Sequence, residues 1–405
     1  MYDRPDYPGG PIINYLRLLP KLVESGCKVD LLSIYHGDYP NAREIGKKGI
    51  IVHPHPYTYT LSLVKWILEK AEAIQPDIFI PDVSTPGCFA GKWLKLSGVP
   101  VINVHRSDDE INWGRAIYFS APEFNHVLTG IVCVNSYLES KLREKIAKSP
   151  ILTTVIPSGV PIPGITANQE QTGLKIVYAG RLVQKQKRVK EILEAFIKLC
   201  DRYHNIEFTI IGDGPEKQNS ITFVKNTPFA SRFIFKGNLL GDDYKEELAR
   251  HHVIVLLSDY EGTPGSLMDG MSCGLIPVCL HFDGVEDLVK HNVNGLIVED
   301  RGNSFQDAID RLYRNPLERV TLSGNARQHI EDHYSIEMTT KKWIAFFEQC
   351  SLMEKKKVHF VQPAEIILPE YNPLLPEYFI YKVPSNIFHR GWNKIKNLLR
   401  LIHSR

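Results

Sequence analysis

Short apolar runs alternate with amphipathic helical segments along most of this 405-residue chain, and that alternation narrows the choice of fold more than any other feature. A parallel strand covered on both faces reads as an unbroken apolar run, and each return crossing needs a helix. The expected class is therefore α/β with doubly wound parallel sheets. In the first half the strands are expected at 28–33, 49–53, 77–81, 99–105 and 130–135, and in the second half at 174–179, 207–212, 233–237, 253–258, 276–280 and 296–298. A Pro/Gly-rich segment from Ile156 to Gly164 and a polar run to Thr172 separate the two series. The length suits two domains, each with its own core. The units are expected at 1–157 and 173–334, with a linker at 158–172, a helix at 335–350 and a tail at 351–405.

Hydrophobic residues make up 43% and charged residues 23%, an ordinary globular balance. The formal charge is +2, yet six Lys or Arg and no acid lie from Tyr378 onward; taking those six away leaves −4 for the rest. The basic character is local, and a nucleic-acid partner is not expected. Seven cysteines are scattered without Cys-x-x-Cys spacing, which points to buried free thiols in a reducing compartment. No run approaches the ~18 apolar residues of a membrane span, and no signal peptide opens the chain. The expected location is cytoplasmic.

Chemistry concentrates in Glu261-Gly-Thr-Pro-Gly-Ser-Leu-Met-Asp269, after the apolar run Val253–Leu257. A short helix is expected over Gly265–Cys273, capped by Ser266, with the amides of Ser266 and Leu267 open to an anion. The segment resembles the Glu-x7-Glu motif of retaining nucleotide-sugar glycosyltransferases of family 4, among the glycosyl transferases group 1. The resemblance covers residues 8–350 and is most specific over 174–298. It implies the GT-B fold: two Rossmann-like domains facing across a cleft, the first on the acceptor side and the second binding the nucleotide-sugar. The helix 335–350 would cross back to the first domain. Glu261 would contact the transferred sugar and Asp269, where Glu is usual, the ribose.

Tyr178-Ala-Gly-Arg181-Leu-Val-Gln-Lys-Gln-Lys187 follows the first strand of the second half. The resemblance gives Arg181 and Lys187 the diphosphate, with Lys185 an alternative match; a forked guanidinium and a compact ammonium suit that task. It also places Gly9-Gly10, Gly212-Asp213-Gly214, Thr263 and Gly265 beside the donor. His105 ends an apolar strand at the carboxyl edge, where doubly wound sheets bind ligands. The resemblance sets it near the sugar and the acceptor, with Arg106, Asp108, Asp109 and Trp113 on the acceptor side. Glu286 reads equally as a pocket residue or a helix-start acid.

The metal-binding Asp-x-Asp signature does not occur in the sequence, so no metal or other cofactor is expected and fixed cations would carry the charge. His53/His55 and His251/His252 lack carboxylate or thiol partners at ligand spacing. The chain opens at Met1-Tyr-Asp-Arg-Pro-Asp-Tyr-Pro-Gly9-Gly10, already in the glycine loop, so the first strand is expected to be missing, either from a late start to the reading frame or through a rearranged sheet. Residues 385–405 carry Phe388, Trp392, Ile395, Leu399 and Ile402 at helical spacing among basic side chains. This helix would either lie on an anionic membrane surface at the inner face or pack on the protein itself. The expected partners are a nucleotide-sugar donor and a glycan or lipid-linked acceptor. A catalytically weak nucleotide-sugar-binding subunit is the alternative.

Overall fold

The computed structural model describes residues 1–3, 10–121, 127–147, 149–351, 366–368, 372 and 374–375. The tail 385–405, for which a basic amphipathic helix is expected, lies outside the described residues, as does Gly9.

The first half contains β1 (Tyr2–Asp3), α1 (Gly10–Glu24), β2 (Asp30–Tyr35), α2 (Pro40–Gly46), β3 (Ile51–Pro56), α3 (Thr60–Ile74), α4 (Thr85–Leu96), β4 (Ile102–His105), α5 (Glu110–Ser120), β5 (Gly130–Cys133), α6 (Ser136–Lys145) and β6 (Leu152–Val155). Its strands form two parallel three-stranded sheets, β1-β2-β3 and β4-β5-β6. The expectation of a missing first strand is corrected: Tyr2 and Asp3 pair with Ile34 and Tyr35. Among the described residues β1 is a two-residue stub, and Met1 N donates to Leu32 O at 2.7 Å. Residues 77–81, expected as a strand, contribute a single bridge from Phe79 to Val101, because Phe79 spends both main-chain groups on the β4 side. Between the lower half of β2 and Ile78–Ile80 lies a cavity of about 470 Å³, lined by Leu18, Leu22, Trp66, Ile67, Phe79 and Trp343 among others.

The second half contains β7 (Leu174–Ala179), α7 (Gln184–Lys187), α8 (Val189–Arg202), β8 (Ile206–Ile211), α9 (Lys217–Lys225), β9 (Phe233–Gly237), α10 (Gly241–Leu248), β10 (Val253–Leu256), α11 (Gly265–Ser272), β11 (Ile276–Leu280), α12 (Val285–Leu288), β12 (Leu296–Val298), α13 (Asn303–Arg314) and α14 (Pro316–His333). Its six parallel strands run in the order β12-β11-β10-β7-β8-β9. The order reverses between β7 and β10, so a crevice opens beyond their carboxyl ends. In α8, Val189, Ile192, Leu193, Phe196, Leu199 and Cys200 recur at helical spacing and are buried. Phe196 stacks on Phe208 of β8 at 4.4 Å between centroids, and burying each such side chain contributes roughly 1.5–3 kcal/mol. A last helix, α15 (Ile336–Cys350), is capped by the Ser335 side chain and places Ile336, Trp343, Phe346 and Cys350 in the core of the first half. No helix among the described residues is long and apolar enough to cross a membrane.

Candidate active site

Both loops at the reversal point carry charge. After β7 the chain turns through Gly180 and Arg181 into the single turn of α7, ending at Lys187; after β10 it runs from Leu257 to Pro264 before α11. Gln186 ties the loops together, donating to Tyr260 O at 2.9 Å and accepting from Asp259 N at 3.0 Å. Lys187 Nζ forms an ion pair with Glu261, each side chain only 10% exposed. Of the two lysines left open by the sequence, Lys187 meets Glu261, whereas Lys185 is exposed. Arg181 is exposed at the mouth, donating to Gln186 Oε1 at 3.0 Å.

The glycines at 212 and 214 shape this loop. Each has positive φ, 137° and 154°, and a Cβ would lie 1.9 Å from Gly180 O at the first and 2.5 Å from Leu182 O at the second. Only glycine permits so close a backbone approach. Leu182 N in turn donates to Asp213 O at 2.9 Å, and the Asp213 side chain receives Gly214 N and Lys217. The turn thus fixes Arg181 from behind.

Helix α11 begins at Gly265 after Pro264, whose side chain offers no cap. The expected Ser266 cap is corrected: Ser266 sits inside the first turn, so its hydroxyl is not at the capping position. The first amides of a helix have no intrahelical partner, and open space lies beside Gly265. An anion there would meet Ser266 and Leu267 amides at the positive end of the helix dipole. Asp269, one turn on, points elsewhere and is held by Arg17 and Lys245.

The first domain meets these loops across the cleft. Thr263 Oγ1 donates to Val134 O at 2.8 Å, and Ser136 gives its amide and hydroxyl to Asp287, both at 2.6 Å. A Cβ on Gly262 would lie 2.3 Å from Arg106 O. His105, at the end of β4, is completely buried, with Trp113 packed edge-on at 4.2 Å between centroids. Neither ring nitrogen makes a well-formed hydrogen bond. Burial pushes its pKa down to about 4, against the opposing charges of Asp109 and Asp108. The imidazole is therefore neutral across the physiological range.

The neighbouring residues assigned to the acceptor side have partners of their own. Arg106 grips Asp82 through two bonds of 2.8 and 2.9 Å; Asp108 receives Trp113 and Tyr137; Asp109 caps α5. Gly10 opens α1 with free space around it. Glu286 faces His281 on the exposed surface, His53 pairs with Asp30, His251 bonds Thr209 and Glu247 O, and His252 Nδ1 accepts from the Lys175 amide.

Asp82 is a residue the sequence reading passed over. It is buried, sits at φ 48°, and joins Tyr15 of α1 to Arg106. A non-glycine residue held in that region is strained, which the surrounding bonds sustain. Its signal was its place after Pro81, at the carboxyl end of an apolar run. Arg17 and Lys245 gave no signal, since their partner is 252 and 24 residues away.

Residues 166–329 match the family described as glycosyl transferases group 1. The N-acetyl-alpha-D-glucosaminyl L-malate synthase of Bacillus anthracis is 26% identical over 40% of this chain and 42% of its own length. The poly(ribitol-phosphate) alpha-N-acetylglucosaminyltransferase of Staphylococcus aureus is 23% identical over 76% of this chain and 62% of its own. The chain thus spans under two thirds of each of these two relatives. Among solved structures, the Anabaena protein HepE in complex with UDP superposes with a TM-score of 0.69 at 15% identity, covering 86% of this chain and 98% of that one.

Proposed function

We propose that this chain, which has the GT-B fold, is a glycosyltransferase that moves a sugar from a nucleoside diphosphate donor to a glycan or lipid-linked acceptor with retention of configuration. The observation that carries the reading is the Lys187–Glu261 pair, set at the reversal point of the second sheet beside the α11 amides. Breaking the bond from sugar to diphosphate develops negative charge on the leaving phosphate. Arg181, Lys187 and the amides of Ser266 and Leu267 supply fixed positive charge there, so no bound metal is required by the charge balance. Preset donors of this kind need no reorganisation as the charge grows. Glu261, relieved of Lys187 when a phosphate takes the ammonium, accepts from sugar hydroxyls and orients the ring. His105, neutral, is suited to accept a proton or hydrogen bond from a hydroxyl on the acceptor side.

UDP in the HepE complex makes uridine the first base to test. A thermal-shift panel of UDP-, GDP- and ADP-sugars against the wild type, Arg181→Ala and Glu261→Ala is the direct test, because a ligand bound only by the folded state raises its stability. Stabilisation by one nucleotide class, weakened in Arg181→Ala, supports the reading; no stabilisation by any donor overturns it. Complete burial of His105 favours a second reading, a nucleotide-sugar-binding subunit with little turnover. Donor binding without transfer to any supplied glycan or lipid acceptor would select it. The basic composition of residues 385–405 supports action at the inner face of a membrane, and loss of binding to anionic liposomes on removing them is the corresponding test.

A further inference from the structure

Asp269 sits where the resemblance predicts a ribose contact, but its two oxygens are already engaged. Oδ1 receives Arg17 Nη2 at 3.0 Å and Lys245 Nζ at 2.7 Å, and Oδ2 receives Arg17 Nη2 at 2.9 Å. Lys245 also donates to Ser272 Oγ at 3.1 Å. The three side chains are 6%, 19% and 10% exposed for Asp269, Arg17 and Lys245. Burial alone would raise the Asp269 carboxyl, yet the two cations outweigh it and hold it below the usual range.

The three residues come from separate elements. Lys245 on α10 and Asp269 on α11 belong to the second domain, so their bond survives any movement between domains. Arg17 lies on α1 of the first domain, so its bond exists only while the cleft is shut. Two cations, Lys245 buried and Arg17 half-buried, share one carboxylate, and a neutral hydroxyl offers too little to displace either: a bond to a charged group contributes about 1.5–3 kcal/mol, a neutral one about 0.5–1.5. Losing Asp269 would leave the buried Lys245 ammonium unneutralised.

We propose that Asp269 is a clasp between the two domains, closed by Arg17 as a positioning residue, and that the ribose hydroxyls go without this carboxylate. The inference rests on the nucleotide-donor reading above. Its consequence is weak discrimination between ribose and 2′-deoxyribose in the donor. The clasp also assigns Arg17 a function that nothing in its own helix discloses.

The test has two arms on the full chain. Calorimetry compares UDP, GDP and ADP with their 2′-deoxy forms on the wild type, Arg17→Gln and Asp269→Asn, while small-angle scattering follows the radius of each protein without ligand. Arg17→Gln should fold, because Lys245 still neutralises Asp269. The expected result is wild-type binding of the best nucleotide within about threefold of its deoxy form, and a larger radius for Arg17→Gln. Freed from Arg17, the carboxylate should then favour ribose by about tenfold, the worth of one good hydrogen bond. A wild-type preference for ribose of about tenfold that Asp269→Asn abolishes would overturn the proposal, as would an Arg17→Gln radius equal to the wild type's. If no nucleotide binds, the donor reading falls, and the scattering comparison still decides the clasp.

Discussion

Lys187 Nζ and the Glu261 carboxylate neutralise each other in a pocket where each side chain is 10% exposed. Removing one partner of such a pair strands the other, at a cost of about 3–5 kcal/mol, whereas replacing both by apolar groups of similar size is often neutral. Glu261→Ala should therefore melt well below the wild type, and Lys187→Met/Glu261→Met should recover most of that loss. Transfer should fail in both. Chemical denaturation paired with an activity assay separates the two roles: a double variant that regains stability and activity together would show that the pair is structural only.

The neutral state of His105 has a measurable cost in acid. Its pKa is lowered from 6.5 to about 4 in the folded protein, so between those values the unfolded chain binds a proton the folded one refuses. Stability is fully present above pH ~6.5 and falls as pH drops toward 4, by about 3 kcal/mol for this group. His252 shifts the same way and contributes its own share. Denaturant titrations of wild type and His105→Phe at several pH values isolate the His105 part. The difference between them should widen in favour of the variant below pH 6.5; a constant difference would mean that His105 titrates normally.

Gly262 has ordinary φ but no room. A Cβ there would lie 2.3 Å from the Arg106 carbonyl oxygen, in the other domain, and backbone cannot yield as a flexible side chain can. Gly262→Ala should push the domains apart rather than unfold either. Catalytic groups on facing domains tolerate little misplacement, so kcat/KM should fall by about 10²-fold with the melting temperature nearly unchanged. Unchanged kinetics would show that the facing walls of the cleft can shift without cost.

The strands of the second domain were legible because each is a short apolar run between turns, and Leu174–Ala179, Phe233–Gly237, Ile276–Leu280 and Leu296–Val298 fall on the expected residues. Local chemistry was legible too: Lys187 and Glu261 each end a strand loop, and strands next to each other bring such loops together. What stayed hidden depends on distance across the fold. The Arg17–Asp269 and Thr263–Val134 contacts join residues with no shared period. The Gly212 and Gly214 turn read as a ligand loop, but its glycines answer to the backbone of Gly180 and Leu182. Tyr2–Asp3 was missed because two residues carry no alternation. Asp77–Pro81 has the composition of a strand, yet its pairing is the single bridge from Phe79 to Val101.

That one-sided edge can be exploited. The cavity of about 470 Å³ separates β2 from Ile78–Ile80 and is lined on one side by Met1, beside the start of β1. In a parallel ladder alternate residues turn to opposite neighbours, so Ile78 and Ile80 face the cavity while Phe79 bonds Pro100 and Ile102. A strand placed between these edges would pair backbone on both sides and set side chains against Leu18, Trp66 and Ile67. Fusing about five Val or Ile residues ahead of Met1 should do this, since strands rise ~3.3 Å per residue and β-branched residues favour them. Each apolar side chain buried contributes roughly 1.5–3 kcal/mol before the entropy of ordering the segment is subtracted. The melting temperature should rise by several degrees, and a Ser/Gly extension of equal length should not raise it. Protection of the Ile78 and Ile80 amides from hydrogen exchange would place the added strand. An equal gain from both extensions would mean that apolar side chains set along the open strand edge add nothing to this sheet.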